Sequence, residues 1–243
     1  RPPRSTLFPY TTLFRSGVCS RRDADKLIEQ GKVLVNGQVA GMGQQVEETD
    51  TVQVGKKILQ GKQTQKVLAF YKPVGVTCTE RDPHAEKKIM DMIRYPERLT
   101  YAGRLDKDSE GLILLTNDGD LINAMMRGAN RHEKEYIVKT DREITPDFLE
   151  KMAKGIYLKD LDITTRECEI EQIGKFTFRI VLTQGVNRQI RRMCEACGYR
   201  VKALKRIRIM NILLGDLKPG KWREVTGEEL EQLQRDTGML NRN

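Results

Sequence analysis

The apolar positions change period twice within the first sixty residues. In DADKLIEQ they fall at Ala24, Leu27 and Ile28, one stripe of a helix, with Ser20 placed to cap it and Gly31 to end it. KVLVNGQVA then alternates about Asn36-Gly37, the pattern of a two-residue hairpin turn, and VEETDTVQV alternates again as a further strand. GKQTQK, residues 61–66, has no aliphatic or aromatic side chain and reads as a linker. Beyond it, VLAFYKPVGV predicts a buried strand running into a turn, and GLILLT, EYIVKT and FTFRIVLT predict further strands. TPDFLEKMAKG predicts a helix, with Pro146 in its first turn, Phe148, Leu149 and Met152 inside, and Gly155 past its end. Strands and helices in this irregular order predict an α+β fold, a small N-terminal unit ahead of a larger domain, with no internal repeat.

Composition narrows the class of protein. Charged residues make up 32% of the 243 and aromatics 6%, and the longest apolar runs are as short as LILL at 112–115, so a membrane span is not expected. Five cysteines, at 19, 78, 168, 194 and 197, are odd in number and scattered, with no secretory signal, which predicts reduced thiols in the cytoplasm. Cys194 and Cys197 form a CxxC, but the chain has no second pair and its two histidines stand at 84 and 132. Ile190, Met193, Cys194 and Cys197 share helical spacing, so the pair is expected to lie on a packed helix face rather than around zinc.

The net charge is +9, and residues 186–210 concentrate it, with eight Lys or Arg against Glu195 alone. On the same helix Arg188 and Arg192 fall on the outer side, and Arg191 falls beside the apolar seam, where its stem can pack and its head reach a neighbour. A solvated basic face is one reading. Polyanion binding is the sharper one, with Lys205 and Arg206 continuing the run. Arg21, Arg22 and Lys32 give the N-terminal unit a second basic point, and two separated basic surfaces favour an extended ligand such as RNA.

GRLDKDSEGLILLTNDGD, residues 103–120, is the most suggestive run for chemistry. Asp106 lies between Leu105 and a polar turn, just ahead of an apolar strand that could hold it in a cleft, although acids in such a run are usually solvated turn residues. The run is similar to the catalytic motif of the bacterial pseudouridine synthases. YKPVGV, HEKEYIV and FTFRIVLTQGVNRQIRRMCEACGY resemble the family's other motifs in the family's order, together covering residues 67–225. SGVCSRRDADKLIEQGKVLVNG resembles an S4 RNA-binding domain. An S4 domain in front of this catalytic domain is the layout of the small-subunit-type branch, and HEKEY, NRQIRRMCE and RIRIMN most resemble its F group, which acts on large-subunit ribosomal RNA.

The resemblance implies a catalytic domain on a mainly antiparallel mixed sheet with flanking helices. It also implies isomerisation of uridine in 23S ribosomal RNA, or in a large-subunit precursor, without metal or other cofactor. It makes Asp106 the ionised catalytic carboxylate and Arg191 the guanidinium that offsets its burial. Tyr136 becomes the ring that stacks on the flipped uracil and handles protons, Leu182 an apolar wall, and Arg104 a contact to displaced RNA. Lys72 is left as a structural residue. Without the motifs, Tyr136 would read as an ordinary strand residue, Leu182 as core and Arg191 as a phosphate contact. A non-catalytic RNA-binding or ribosome-assembly factor, and the same chemistry on transfer RNA, remain alternatives. No strong apolar stripe marks the surface, so a monomer is expected.

RPPRSTLFPYTTLFRS at the N-terminus fits none of this. It carries three Arg and no acid, and TLFPYTTLFRS resembles the conceptual translation of a short-read sequencing adapter. The expected organisation is a non-native segment at 1–16, an S4 domain at 17–60 lacking its first helix, the linker at 61–66, the catalytic domain at 67–235 and a tail at 236–243. The alternative is a divergent native N-terminus, with Leu13 at an apolar position of the S4 pattern.

Overall fold

The computed structural model describes residues 13, 21–47, 49–59, 64–79, 85–127 and 131–240. They form two units. One holds the described residues up to Lys66 with Tyr95–Leu99 and Asn117–Gly119, and the other holds the remainder. Ser20 and the segment expected to be non-native, Leu13 apart, lie outside the described residues.

In the first unit α1, Arg21–Glu29, buries Ala24 and Ile28 and half-buries Leu27, the stripe its spacing predicts. Its partners are four antiparallel strands, β1 (Val33–Val35), β2 (Gln38–Val39), β3 (Val52–Val54) and β4 (Lys57–Leu59), in the order β2-β1-β3-β4. Asn36 and Gly37 both take positive φ, 50° and 81°, as the two-residue turn between β1 and β2 requires. Leu13, Val33, Val35, Val46 and Val52 complete a small core. The strand expected through VEETDTVQV is confined to its last three residues. Asp50 accepts hydrogen bonds from the Glu47 amide at 2.7 Å and from Asn36 Nδ2 at 2.8 Å, and these local bonds hold a turn where the ladder would otherwise run.

The second unit is built on a nine-stranded sheet. In chain order its parts are β5 (Val67–Lys72), a 3₁₀ turn (Ile89–Met92), β6 (Thr100–Ala102), β7 (Glu110–Thr116), α2 (Gly119–Met126), β8 (Lys134–Thr140) and α3 (Pro146–Lys154). A short pair follows, β9 (Tyr157–Leu158) with β10 (Ile163–Thr164), and then β11 (Glu169–Gly174) and β12 (Thr177–Leu182). The chain continues through α4 (Gln189–Ala196), β13 (Val201–Ile209), β14 (Ile212–Leu213), β15 (Trp222–Glu224) and α5 (Gly227–Asp236). The main order is β11-β12-β8-β13-β7-β5-β15, with β14 on β13 and β6 on β7. Every pairing in it is antiparallel except β13 with β7, so the sheet is mixed and mainly antiparallel.

Both faces of the central strands are covered. β5 is buried along its whole length and β7 from Gly111 onward, which is why VLAFYK and GLILLT read as continuous apolar runs. On one face Val67, Ala69, Leu112 and Leu114 pack with Leu121 and Met125 of α2 and Leu233 of α5. Thr145 caps α3 by accepting from the Phe148 amide at 3.2 Å, and Phe148 meets Phe178 edge-on at 5.4 Å between ring centroids. Helices α2 and α5 are not anticipated by the sequence reading. Packing also continues past residue 235, since Thr237 is buried and Met239 packs against the core.

The parallel seam rests on one residue. Gly111 lies opposite Lys72 on β5 and opposite Arg206 on β13. Its φ is +112°, and a Cβ there would stand 2.2 Å from the Arg206 carbonyl oxygen and 2.6 Å from its nitrogen. Both the backbone conformation and the contact with a neighbouring main chain demand glycine. Gly111→Ala is therefore expected to destabilise the protein by about 3 kcal/mol or more, combining backbone strain with a clash that no side chain can relieve. Chemical denaturation would measure this, and a loss under about 1 kcal/mol would contradict the seam as described.

Candidate active site

A cleft of about 830 Å³ opens on the second unit. One wall is the Gly103–Ser109 loop between β6 and β7, the floor is formed by the β8, β12 and β13 segments, and the facing wall is the Gln184–Arg191 segment that enters α4. The loop is fixed at several points. Gly103 turns it with φ +81°, Leu105 is buried, the Ser109 amide donates to the Asp106 carbonyl at 3.1 Å, and the Gly75 amide donates to the Lys107 carbonyl at 2.7 Å. Asp106 is thus held between a buried leucine and an exposed lysine, with a third of its side chain open.

Two guanidinium groups face this loop. Arg188 Nη1 stands 3.4 Å from Asp106 Oδ2, and the same side chain binds Asp108 through two hydrogen bonds of 3.1 Å. Arg191 Nη2 donates to the Asp108 carbonyl at 2.9 Å and to Ser109 Oγ at 3.2 Å, and Nη1 reaches the Val201 carbonyl at 3.4 Å. The expectation that Arg191 ion-pairs Asp106 is therefore corrected: the guanidinium on Asp106 is that of Arg188, and Arg191 holds the loop that carries it. The cause is local. Arg188 precedes α4 in the left-handed conformation, φ 51°, which turns its side chain across to the loop, while Arg191 lies within the helix beside β13. Burial pushes the Asp108 carboxyl up, but the Arg188 hydrogen bonds and the Arg191 charge more than reverse this, so it rests below the usual carboxylate range.

Tyr136 and Leu182 lie in the floor, 9% and 3% exposed, and the Tyr136 hydroxyl has no hydrogen-bond partner among the described residues. Arg104 and Lys107 stand exposed at the rim. Asp106, Tyr136, Leu182, Arg104, Arg188 and Arg191 thus share one cleft, although they span 88 positions of sequence from Arg104 to Arg191. Lys72 is fully buried, and its ammonium donates to the Pro73 and Val76 carbonyls at 2.9 and 2.8 Å, so it ties the following turn to the end of β5.

The basic segment is less free than its composition predicts. Arg192 pairs with Asp160, Arg208 with Glu133 and Glu135, and Lys205 places its ammonium 5.0 Å from the centre of the Tyr71 ring. Arg206 is only 3% exposed, so the expectation that it tracks RNA phosphates is corrected: strand alternation turns it into the sheet, where Nε donates to the Leu112 carbonyl at 2.6 Å. Acids distant in sequence take up charges that a linear reading counts as free. In the first unit Lys32 is exposed, and Arg21 and Arg22 open α1. Ile190, Met193 and Cys194 are buried and Cys197 is half-buried, so the CxxC is helix face.

Two residues of the cleft carry no signal in the sequence reading. Cys78 is buried along it, and Lys134, two residues before Tyr136, lines the floor. Burial, reinforced by Arg206, pulls the Lys134 ammonium below its ordinary value. The i, i+2 spacing of Lys134 and Tyr136 on a strand would have placed them on one face.

The RNA pseudouridylate synthase family model matches residues 66–196, and the S4 domain model matches residues 11–52. The dual-specificity RNA pseudouridine synthase RluF of Escherichia coli (strain K12) is 46% identical over 220 residues, covering 90% of this chain and 75% of that one. The ribosomal large subunit pseudouridine synthase B of Vibrio cholerae serotype O1 is 34% identical over 235 residues, covering 91% and 72%. A solved structure described as a crystal structure of pseudouridylate synthase superposes with a TM-score of 0.69 at 26% identity, covering 93% of this chain and 99% of that one.

The arginine fork makes a pH prediction. A carboxylate held below its ordinary value adds stability above its unfolded pKa of about 3.9 and loses that contribution as pH falls through the lower folded value. Arg188→Gln is expected to lift the Asp108 carboxyl toward about 3.9, as read by carbon NMR titration. The stability difference between variant and wild type should be present at neutral pH and vanish in strong acid; an unmoved Asp108 titration would contradict the pairing.

Proposed function

Because the chain belongs to the RNA pseudouridylate synthase family and carries an S4 domain, we propose that it isomerises uridine to pseudouridine in 23S ribosomal RNA with Asp106 as the catalytic carboxylate. The observation that carries this reading is the placement of Asp106. Its carboxylate opens into a cleft, rests against one guanidinium, and faces a floor containing Tyr136 and Leu182.

The reaction breaks N1–C1′, joins C5 to C1′ and moves the C5 proton to N1. Nothing is gained or lost, so no co-reactant is required. A uridine within folded RNA must leave its stack to reach Asp106, and an aromatic ring with an apolar neighbour is the surface on which an extruded base rests. Tyr136 is that ring, its hydroxyl, without a partner among the described residues, serves in proton transfer, and Leu182 is the apolar wall. Asp106 acts as nucleophile or base, with the Arg188 guanidinium beside it. Arg191 holds the Asp108–Ser109 backbone and so fixes the loop. Arg104 and Lys107 meet displaced RNA at the rim, and Arg21, Arg22 and Lys32 add contacts from the S4 unit.

The name of the Vibrio relative supports large-subunit ribosomal RNA, free or within a precursor particle, as substrate, and bacterial relatives support a cytoplasmic setting. No helix of the described residues is long and apolar enough to cross a membrane. We take the monomer as the working state. The Escherichia coli relative is named a dual-specificity enzyme, and the same chemistry on transfer RNA is the alternative substrate reading. A purely RNA-binding role is disfavoured, because Asp106 and Asp108 at the cleft would repel phosphates and offer a binder nothing.

Asp106→Asn is expected to lower pseudouridine formation by at least about a thousandfold while RNA affinity stays within about twofold. Wild-type rates in this variant would overturn the assignment. Mapping pseudouridine in total RNA with and without the protein assigns the substrate, ribosomal or transfer. Because few cations at the cleft are free, affinity should fall by about a hundredfold between 50 and 200 mM salt, short of the loss for a protein that tracks many phosphates. A flat response in a filter-binding series would remove the rim contacts from the model of binding.

A further inference from the structure

Three cations lie at or beneath the cleft floor without a carboxylate partner among the described residues: Lys72 and Arg206, which are buried, and Lys134, which is half-buried. Lys72 is answered by two carbonyls. Lys134 has one long contact, 3.3 Å to the His132 carbonyl. Arg206 uses Nε on the Leu112 carbonyl, and its Nη2 is buried with no acceptor. Two residues further along the same strand, Arg208 meets two glutamates. An arginine buried beyond nine-tenths with an idle donor is costly unless something else supplies the acceptor.

The register shows where that acceptor must come from. Lys72, Gly111, Arg206 and Tyr136 form one row across β5, β7, β13 and β8, so the side chains of Arg206 and Tyr136 emerge on the same face as neighbours. Both line the cleft, with Leu182 and Leu204 beside them. A backbone phosphate stays at the rim, where Arg104, Lys107 and Arg188 are exposed. Only a group that enters the cleft reaches the Arg206 row, and the group that enters, on the reading given above, is the extruded base.

We propose that Arg206 is the base-facing donor of this site, its guanidinium turning an N–H to a uracil carbonyl oxygen, O2 or O4, and holding the negative charge that oxygen gains when N1–C1′ breaks. The electron pair of that bond leaves with the base and is shared between N1, O2 and O4. It is returned when C5 bonds to C1′ and the C5 proton passes to N1. A donor fixed in advance, in an environment with little water, stabilises such developing charge most effectively. The hydrogen bond from Nε to β7 locks the plane of the guanidinium, and Lys134 adds a second positive charge nearby. Where O4 is the oxygen met, the site also selects uracil over cytosine, which carries an amino group at that position.

This inference rests on the proposed pseudouridine synthase reading, and the test separates the two. Single-turnover rates are measured on a large-subunit ribosomal RNA transcript carrying uridine, 2-thiouridine or 4-thiouridine at the modified position, with wild type, Arg206→Gln and Arg206→Lys. Arg206→Gln is expected to lower the rate about a hundredfold with RNA affinity within about twofold, and Arg206→Lys to recover part of the loss. The oxygen-to-sulfur rate ratio at one of the two positions should change at least about fivefold between wild type and variant, since sulfur is the weaker acceptor. Equal ratios at both positions overturn the inference, as does a folded Arg206→Gln that turns over like wild type. So does a loss of rate that only parallels a loss of melting temperature and RNA binding, which marks a strut between strands. If the glutamine variant does not fold, the lysine variant carries the same comparison. A wild type that forms no pseudouridine in any transcript fails the enzyme reading itself; an active wild type with uncoupled ratios fails this inference alone.

Discussion

The close approach of β7 to β13 at Gly111 is the contact on which the second unit depends. It is the single parallel pairing in the nine-stranded sheet, and it is made main chain to main chain, with no room for a Cβ between Gly111 and Arg206. The pairing brings β13 alongside β7 and sets Arg206 level with Tyr136 on the next strand. The loop carrying Asp106 runs directly into β7, so the seam also fixes that loop relative to the β8 and β12 residues opposite it. A bulkier residue at 111 would part the strands and displace the floor from the wall at once.

The seam also separates two kinds of charge. Toward the rim, acids and bases answer one another: Arg188 with Asp106 and Asp108, Arg191 with Asp108. These groups are partly open to solvent, so their pairing is cheap to make and to exchange. In the floor, Arg206 is buried and Lys134 half-buried, neither with a carboxylate partner among the described residues. The outcome is a field that becomes more positive with depth, beneath an aspartate near the mouth. In the proposed reaction a carboxylate works on the sugar while the base beyond it gains negative charge. A single neutral environment could not serve both needs, and the separation in depth does.

Much of the fold was legible because local patterns and tertiary demands agree. The Asn36-Gly37 turn, the Thr145 cap with Pro146 behind it, and the apolar runs of β5 and β7 each express a rule of the chain that packing then uses. The β3 strand was overread because Asp50, a strand-compatible neighbour in pattern, bonds to its own local backbone instead. That Asp106, Tyr136 and Leu182 share one cleft was legible through motifs. The partner of Asp106 was not, because which of Arg188 and Arg191 reaches it depends on one left-handed residue at the entry to α4, and arginine gives no advance sign of that conformation. Arg206 was misplaced for a related reason. A count of basic residues along a segment cannot tell which side of a strand each occupies, or which acids arrive from elsewhere.

That last point bears on how such a protein holds RNA. If every cation between 186 and 210 faced solvent, the catalytic unit alone would grip phosphates strongly and without discrimination. Instead Arg192 and Arg208 are paired with acids, Lys205 lies over Tyr71, and Arg206 is buried. The free charges at the cleft reduce to a few rim residues, so on the proposed reading the catalytic unit by itself would make a modest, readily reversible contact. A second RNA-binding unit on the same chain then does what extra surface charge would otherwise do. Two weak contacts joined covalently raise the local concentration of each for the other, and they succeed only on an RNA whose shape offers both sites at the right separation. Pairing the surface cations internally thus exchanges indiscriminate affinity for dependence on RNA shape.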